Sequence, residues 1–386
     1  MPNKILYVAS TVGHLKSFHR PYLERLSRDG WTVHTAGKGG NEPLPGVEEG
    51  FDIPFEKSMF SPKNLGATWQ LRQQLRDGAY DVVSVHTSLA AFFTRLAVML
   101  SGRRRHITVI NTAHGYLFDD DTPQPKRTIL LWAEKLTAPA TDLLLTMNRQ
   151  DTELAQKHKL CRGETVQIDG MGVDFSRFSP ADAGQRLAAR ERFGIPREAF
   201  VLVYAAEFSK RKNQSDLIRS FAKLPQRAWL LLAGRGDALE QCKALAQELG
   251  VADRVVFAGF VPDVQACYHA ADVCMSTSRS EGLPFNLMEA MHCALPVVAT
   301  DVKGHQDLIQ PGKNGFLVPY GDVDGLCAAV TGLMDNTAKC LELGYHGKAT
   351  VERYALEPVL EENMALMNGF FRERGVALPE KNVVKK

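Results

Sequence analysis

Two doubly wound α/β domains, each built on a parallel sheet and facing a central cleft, are what this sequence predicts. Three observations lead there. At 386 residues the chain exceeds what one hydrophobic core ordinarily serves, so two domains are the natural division. Short runs such as residues 5–9, 200–206 and 297–299 are apolar on both faces, as strands buried inside a parallel sheet are. Several of these runs lead through a glycine-bearing turn into a helical pattern, which is the strand–turn–helix unit of nucleotide-binding folds.

In the first half, residues 5–9 predict the first strand. Gly13 and His14 stand in the turn after it, where a glycine either lets amides approach a phosphate or sugar or simply makes a tight turn. A helical pattern over 16–28 follows, with Leu15, Phe18, Tyr22, Leu23 and Leu26 inward. His19 falls inside it, as a packing or surface residue or as a ligand contact. The GxGxxG dinucleotide fingerprint is missing. Residues 31–36 predict the next strand, 47–55 an irregular stretch, and Ser61-Pro62-Lys63-Asn64 the start of a helix ending near Asp77. Lys57 and Lys63 suit acidic groups on a ligand or plain solvation. Residues 82–86 and 107–112 predict strands that deliver His86 and His114 to the carboxyl edge, where open parallel sheets bind ligands. Asp119, Asp120 and Asp121 have the residue type to hold Mg²⁺ on a diphosphate, but no strand runs directly into them. A solvated loop is expected there, and no metal. Residues 126–136 predict an amphipathic helix with Lys126, Arg127 and Lys135 on its charged side. With Arg103-Arg104-Arg105-His106 it suits an anionic bilayer and, equally, plain solvation.

A glycine-rich stretch at 168–178 closes the first half and is consistent with a hinge. Beyond it, strand 200–206 leads to Lys210, Arg211 and Lys212, three adjacent cations placed to offset charge on a pyrophosphate. Strand 229–233 ends in Gly234-Arg235-Gly236, and strand 255–261 turns at Phe260 and Val261. The net charge of +2 carries no nucleic-acid footprint. Seven cysteines, an odd number without a CxxC pair, suit reduced thiols in a cytoplasmic protein. The first residues run straight into a strand, so no signal peptide is expected, and no apolar run is long enough for a membrane span.

The densest signal is residues 278–301, Ser-Arg-Ser-Glu-Gly-Leu-Pro-Phe-Asn-Leu-Met-Glu-Ala-Met followed by His-Cys-Ala-Leu-Pro-Val-Val-Ala-Thr-Asp. It predicts a loop, a helix with Leu287, Met288 and Met291 inward, a turn at Pro296 and a buried strand. Gly282, Leu283, Pro284 and Phe285 fall at the helix N-terminus, where amides and the helix dipole suit a diphosphate. Glu281 and Glu289 can each accept paired hydrogen bonds from vicinal sugar hydroxyls. Taken alone, the segment is also an ordinary helix start with a surface glutamate one turn in.

The Glu-x7-Glu spacing with Gly-Leu-Pro after the first acid and Pro-Val-Val-Ala-Thr-Asp after the second resembles the retaining family 4 glycosyltransferases, of the bacterial capsule and exopolysaccharide type. Its flanks match too: 271–278 before it and Gly312-Lys313-Asn314-Gly315 after it. The resemblance implies the GT-B fold, with residues 1–174 as an acceptor-binding domain onto which a last helix at about 357–378 packs back, and 175–356 as the donor-binding domain. It implies transfer of a hexose or N-acetylhexosamine from a UDP-sugar, with retention, to a glycan or polyprenyl-diphosphate-linked acceptor in cell-surface polysaccharide synthesis. It implies no cofactor beyond that donor, and cytoplasmic placement with contact at the inner membrane surface, because family members use lipid-linked acceptors.

Residue by residue, the resemblance makes His114, Glu281 and Lys212 catalytic. Glu289 would hold the ribose hydroxyls, and Glu281 those of the donor sugar. Gly13, Lys210, Arg211, Gly234 and Gly282 to Phe285 would line the donor, and Phe260 and Val261 would read the base. His14, His19 and His86 would meet the acceptor. Many relatives carry Arg five residues before the lysine; this chain has Glu207, which leaves Lys212 as the main diphosphate cation. Two rival functions are a sugar-nucleotide epimerase of the same fold and a non-catalytic nucleotide-sugar-binding protein.

Overall fold

The structure, a computed structural model, describes residues 3–56, 58–119 and 122–379. Lys57, Asp120 and Asp121 fall outside them. The chain divides into two compact units, Met1–Met171 with Glu357–Lys386, and Gly172–Leu356.

The first unit is organised on seven parallel strands: β1 Lys4–Thr11, β2 Thr32–Lys38, β3 Glu49–Asp52, β4 Val82–His86, β5 Thr108–Ala113, β6 Leu143–Thr146 and β7 Glu164–Gln167. Their order in the sheet is β3-β2-β1-β4-β5-β6-β7. The order reverses between β1 and β4, the topological switch point at which crossovers diverge and leave a crevice at the carboxyl edge. Leu6, Val8, Val83, Val85 and Val109 pack under Leu71, Leu75, Ala97 and Val98 from the covering helices. The helix expected over 16–28 is two helices, Val12–Phe18 and Arg20–Arg28. Pro21 lacks an amide proton and suits a helix start, so the chain breaks at His19 and begins again. The last helix, Leu356–Glu373, lies in this unit from Glu357 onward. Asn363 anchors it, donating to the Tyr22 hydroxyl at 2.8 Å and to the Gly170 carbonyl at 3.0 Å.

The second unit carries six parallel strands: β8 Phe200–Ala205, β9 Ala228–Ala233, β10 Val255–Gly259, β11 Val273–Ser276, β12 Val297–Thr300 and β13 Gly315–Val318. Their order is β10-β9-β8-β11-β12-β13, with the reversal between β8 and β11. Leu202, Leu230, Leu232, Met275 and Val298 meet Leu217, Ile218, Phe221 and Val330 in its core. Asp272 pins the switch point from beneath: its carboxylate accepts from the Val201 amide at 2.7 Å and pairs with Arg190 at 2.8 Å. All seven cysteines are free. Among the described residues no helix is long and apolar enough to cross a membrane.

Candidate functional site

The second unit's switch point brings together the loops after β8 and β11. Lys212 follows β8 and Glu281 follows β11, and their Nζ and Oε1 are 2.6 Å apart. Arg211 holds the other oxygen, Oε2, at 2.8 Å and the Ser280 carbonyl at 3.1 Å. Glu281 is buried, and burial alone would favour its neutral acid. The cations Lys212 and Arg211, with His305, reverse that and hold the carboxyl at about 2. Burial likewise pulls the Lys212 ammonium below its usual value, against the pull of Glu281. A buried carboxylate thus stays ionised between two cations.

The frame around that pair is hydrogen-bonded throughout. Thr277 Oγ1 donates to the Lys212 and Asn213 carbonyls at 3.2 and 2.8 Å. The Tyr204 hydroxyl pairs with Ser278 Oγ at 2.8 Å, and Ser276 Oγ pairs with His305 Nε2 at 3.0 Å. Gly304 has φ +79°, and a Cβ there would sit 2.7 Å from the Gly282 carbonyl oxygen and 2.9 Å from that of Glu281. Only glycine lets the loop after β12 pass so close beneath Glu281.

The helix after the Glu281 loop is Phe285–His292, and no side chain caps it at Pro284. Buried in its first turn, Asn286 Nδ2 has no hydrogen-bond partner among the described residues. Sequence reasoning passed over Asn286; a carboxamide in the first turn after Gly-Leu-Pro-Phe was the available signal. One turn on, Glu289 accepts from the Tyr268 hydroxyl at 2.8 Å. Burial pushes its carboxyl up to about 7, against the pull of Tyr268 and Arg177.

Other expected donor residues stand at the same carboxyl edge. Gly234, expected to leave room for a nucleotide, also leaves room for the protein: with φ +145°, its Cβ would sit 2.0 Å from the Ala206 carbonyl oxygen. Phe260, just after β10, is 64% exposed, with the Arg235 guanidinium 5.8 Å from its ring centre. Val261 is half-buried, Lys210 is exposed, and exposed Glu207 lends its carbonyl to Gln214 Nε2 at 2.8 Å.

At the first unit's switch point four histidines converge. His14 and His19 follow β1, His86 ends β4 and His114 follows β5. His19 and His86 are buried with ring centres 3.9 Å apart, and Tyr7 stacks on His86 at 5.0 Å. His14 and His114 are half-buried and meet edge to face at 4.9 Å; Gly13 beside them is exposed. Burial first, then mutual repulsion, lowers these rings: His14 to about 4 by burial alone, His114 to about 3, and His19 and His86 well below their usual value. All four are neutral at neutral pH. Thr87, next to His86, holds a positive φ of 66° and pairs with Ser10 Oγ at 2.7 Å. Asp119 closes a local turn with Thr122, bonded at 3.0 and 2.6 Å.

Two doubly wound parallel sheets, one of them with cations gathered around a buried carboxylate at its switch point, define a class of α/β enzyme whose ligands bind at the carboxyl edge, and similar proteins say which one. The family model "Glycosyl transferases group 1" matches residues 185–350, and "Glycosyl transferase 4-like domain" matches 20–168. A putative glycosyltransferase, EpsD, of Bacillus subtilis (strain 168) is 35% identical over 94% of this chain and 95% of its own. The UDP-Gal:alpha-D-GlcNAc-diphosphoundecaprenol alpha-1,3-galactosyltransferase of Escherichia coli is 24% identical over 71% of each chain. In fold, sucrose-phosphate synthase of Thermosynechococcus elongatus superposes with a TM-score of 0.78 at 21% identity, over 96% of this chain and all of its own. The chain belongs to the family 4 glycosyltransferases of the GT-B fold.

Proposed function

We propose that this glycosyltransferase moves a hexose or N-acetylhexosamine from a UDP-sugar, with retention, to a polyprenyl-diphosphate-linked or glycan acceptor in cell-surface polysaccharide synthesis. The observation that carries the donor half is the ionised Glu281 held between Lys212 and Arg211 at the second unit's switch point. Glu281 is a fixed acceptor for donor-sugar hydroxyls. The Lys212 ammonium has three donors, so it can keep Glu281 and still give a hydrogen bond to the diphosphate as charge builds on the leaving oxygen. Arg211, Lys210, the helix N-terminus over Gly282 to Phe285 and the Asn286 amide add to that anion's support, so the diphosphate needs no Mg²⁺. Glu289 receives the ribose hydroxyls, and Phe260, Val261 and Gly234 flank the base. The UDP-linked donor and lipid-linked acceptor rest on the name of the Escherichia coli relative.

In this reading the first unit takes the acceptor, with His14, His86 and His19 shaping its site and His114 set at the transferred bond. The bond from the anomeric carbon to phosphate breaks. The acceptor oxygen bonds to the same face, and its proton passes to the departing phosphate. The helix Lys126–Thr137 rests on an anionic bilayer, which keeps the chain on the cytoplasmic face beside its lipid-linked substrate. The test is a panel of nucleotide sugars screened by thermal shift, then assayed with polyprenyl-diphosphate-linked acceptors and followed by NMR of the new anomeric centre. Stabilisation by UDP-sugars and an axial-to-axial outcome support the reading. Release of an epimerised nucleotide sugar without acceptor, or binding without turnover, would replace it.

A further inference from the structure

The acceptor-side roles proposed for the imidazoles at the first unit's switch point do not account for how closely their ring nitrogens converge. One ring nitrogen from each of His14, His19 and His114 lies within 4.8 Å of the other two. Neither ring nitrogen of His19, and not Nε2 of His14, has a hydrogen-bond partner among the described residues, although both atoms of His19 are enclosed. Buried polar atoms are rarely left so, and an ion held between converging nitrogens is one way they are satisfied. From this geometry we propose that His14, His19 and His114 bind a single divalent transition-metal ion, Zn²⁺ foremost, with His86 orienting the set from behind.

The donor set selects the ion. The group is imidazole alone, which suits Zn²⁺, Co²⁺, Ni²⁺ or Cu²⁺. Mg²⁺ and Ca²⁺ want oxygen shells and do not fit. Tetrahedral Zn–N bonds of about 2.0–2.1 Å place nitrogens about 3.3 Å apart, a contraction that small rotations of three side chains supply. His86 is tied down for a supporting role: its Nε2 pairs with Ser84 Oγ at 3.0 Å and its Nδ1 lies 3.4 Å from His114 Nε2. Three protein ligands leave a position for water or another oxygen, and His14 is a half-exposed member of the set. The sequence concealed this site because its ligands come from separate strand ends. The acidic run Asp119 to Asp121 reads as a solvated loop and gives no pointer to it. The inference concerns the first unit alone, so its failure would leave the donor reading of Lys212 and Glu281 untouched.

The test uses the full chain, stripped with dipicolinate and titrated with Zn²⁺ alone by calorimetry, and separately loaded with Co²⁺ for visible spectroscopy. A single ion per chain is expected, with a Co²⁺ spectrum of nitrogen and oxygen ligation and no thiolate-to-cobalt band from the cysteines. His14→Gln and His114→Gln should each weaken binding by at least the ~100-fold that outer-shell changes alone can reach. His14→Gln alters a half-exposed ring, so it decides the matter even where His19→Gln fails to fold by circular dichroism. Binding that is absent, that shows a thiolate band, or that is equal in wild type and His14→Gln overturns the proposal.

Discussion

Lys212 and Glu281 face each other across the reversal of the second sheet, 2.6 Å apart, each supplied by the strand on its own side of the switch point. Burying both charges costs free energy that their pairing does not fully return, and such perturbed groups gather at functional sites. Lys212→Ala should therefore lower kcat/KM for the UDP-sugar by ~100-fold or more, the scale on which one lost transition-state donor is felt. Lys212→Arg should recover only part of it, because a planar fork does not reproduce a compact ammonium. Steady-state kinetics decide, and wild-type values in Lys212→Ala would remove the lysine from the leaving group.

Glu289 gives a pH signature. Its carboxyl is raised to about 7, so near neutrality it divides between acid and carboxylate. In the proposed donor site the carboxylate would accept from both ribose hydroxyls, whereas the acid would give up part of that capacity. UDP affinity should thus climb as pH rises through about 7 and level off above. Glu289→Gln should bind more weakly and lose this dependence. The effect on folding has the opposite sign. A carboxyl raised in the folded state stabilises it most below the unfolded value of 4.5, and that contribution fades as pH rises through about 7. Calorimetric titration of UDP across the neutral range reads the first effect and urea unfolding the second, and a flat wild-type binding profile would take Glu289 out of the ribose site.

Much of the fold was legible because a parallel strand covered on both faces has to be apolar on both faces; β1, β8 and β12 announce themselves that way. The strands that escaped, β3 and β7, are edge strands whose outer residues Glu49, Asp52, Glu164 and Gln167 are exposed. Their polarity reads as loop until the neighbouring strand supplies its hydrogen bonds. The break at His19 was written in Pro21, but the apolar spacing on either side hid it. At the site, Lys212 and Glu281 were each readable from strand ends and flanking glycine. Their ion pair was not, because it joins residues separated by 69 positions. The same holds for His14, His19, His86 and His114, which sheet order alone assembles.

Gly304 supports Glu281 from below through a contact no other residue permits. Gly304→Ala puts a methyl against two backbone oxygens at positive φ, which should cost about 1–3 kcal/mol of stability. Relief of that clash moves the Glu281 loop, so donor affinity should fall as well, while the far edge of the sheet is unaffected. Urea unfolding and UDP calorimetry on the same preparation test both halves. A variant as stable as wild type would mean that the loop has room to shift without strain.

On the first unit, the helix Lys126–Thr137 is held from inside by a buried ion pair, Arg95 Nη2 to Glu134 Oε2 at 2.7 Å. That fixes its other side outward, where Ile129, Trp132 and Leu136 are exposed, Trp132 by 66%, with Lys126 and Lys135 also exposed on the same helix. Exposed apolar residues at helical spacing, bordered by cations, suit the headgroup boundary of an anionic bilayer. The chain should co-sediment with phosphatidylglycerol vesicles and much less with phosphatidylcholine, and salt should weaken the binding by screening. Trp132→Ser should reduce vesicle affinity by roughly tenfold, equivalent to about 1.4 kcal/mol of lost apolar burial, with little effect on stability, since the residue is 66% exposed. Equal binding to both vesicle types, or an unchanged Trp132→Ser, would assign this face to solvent.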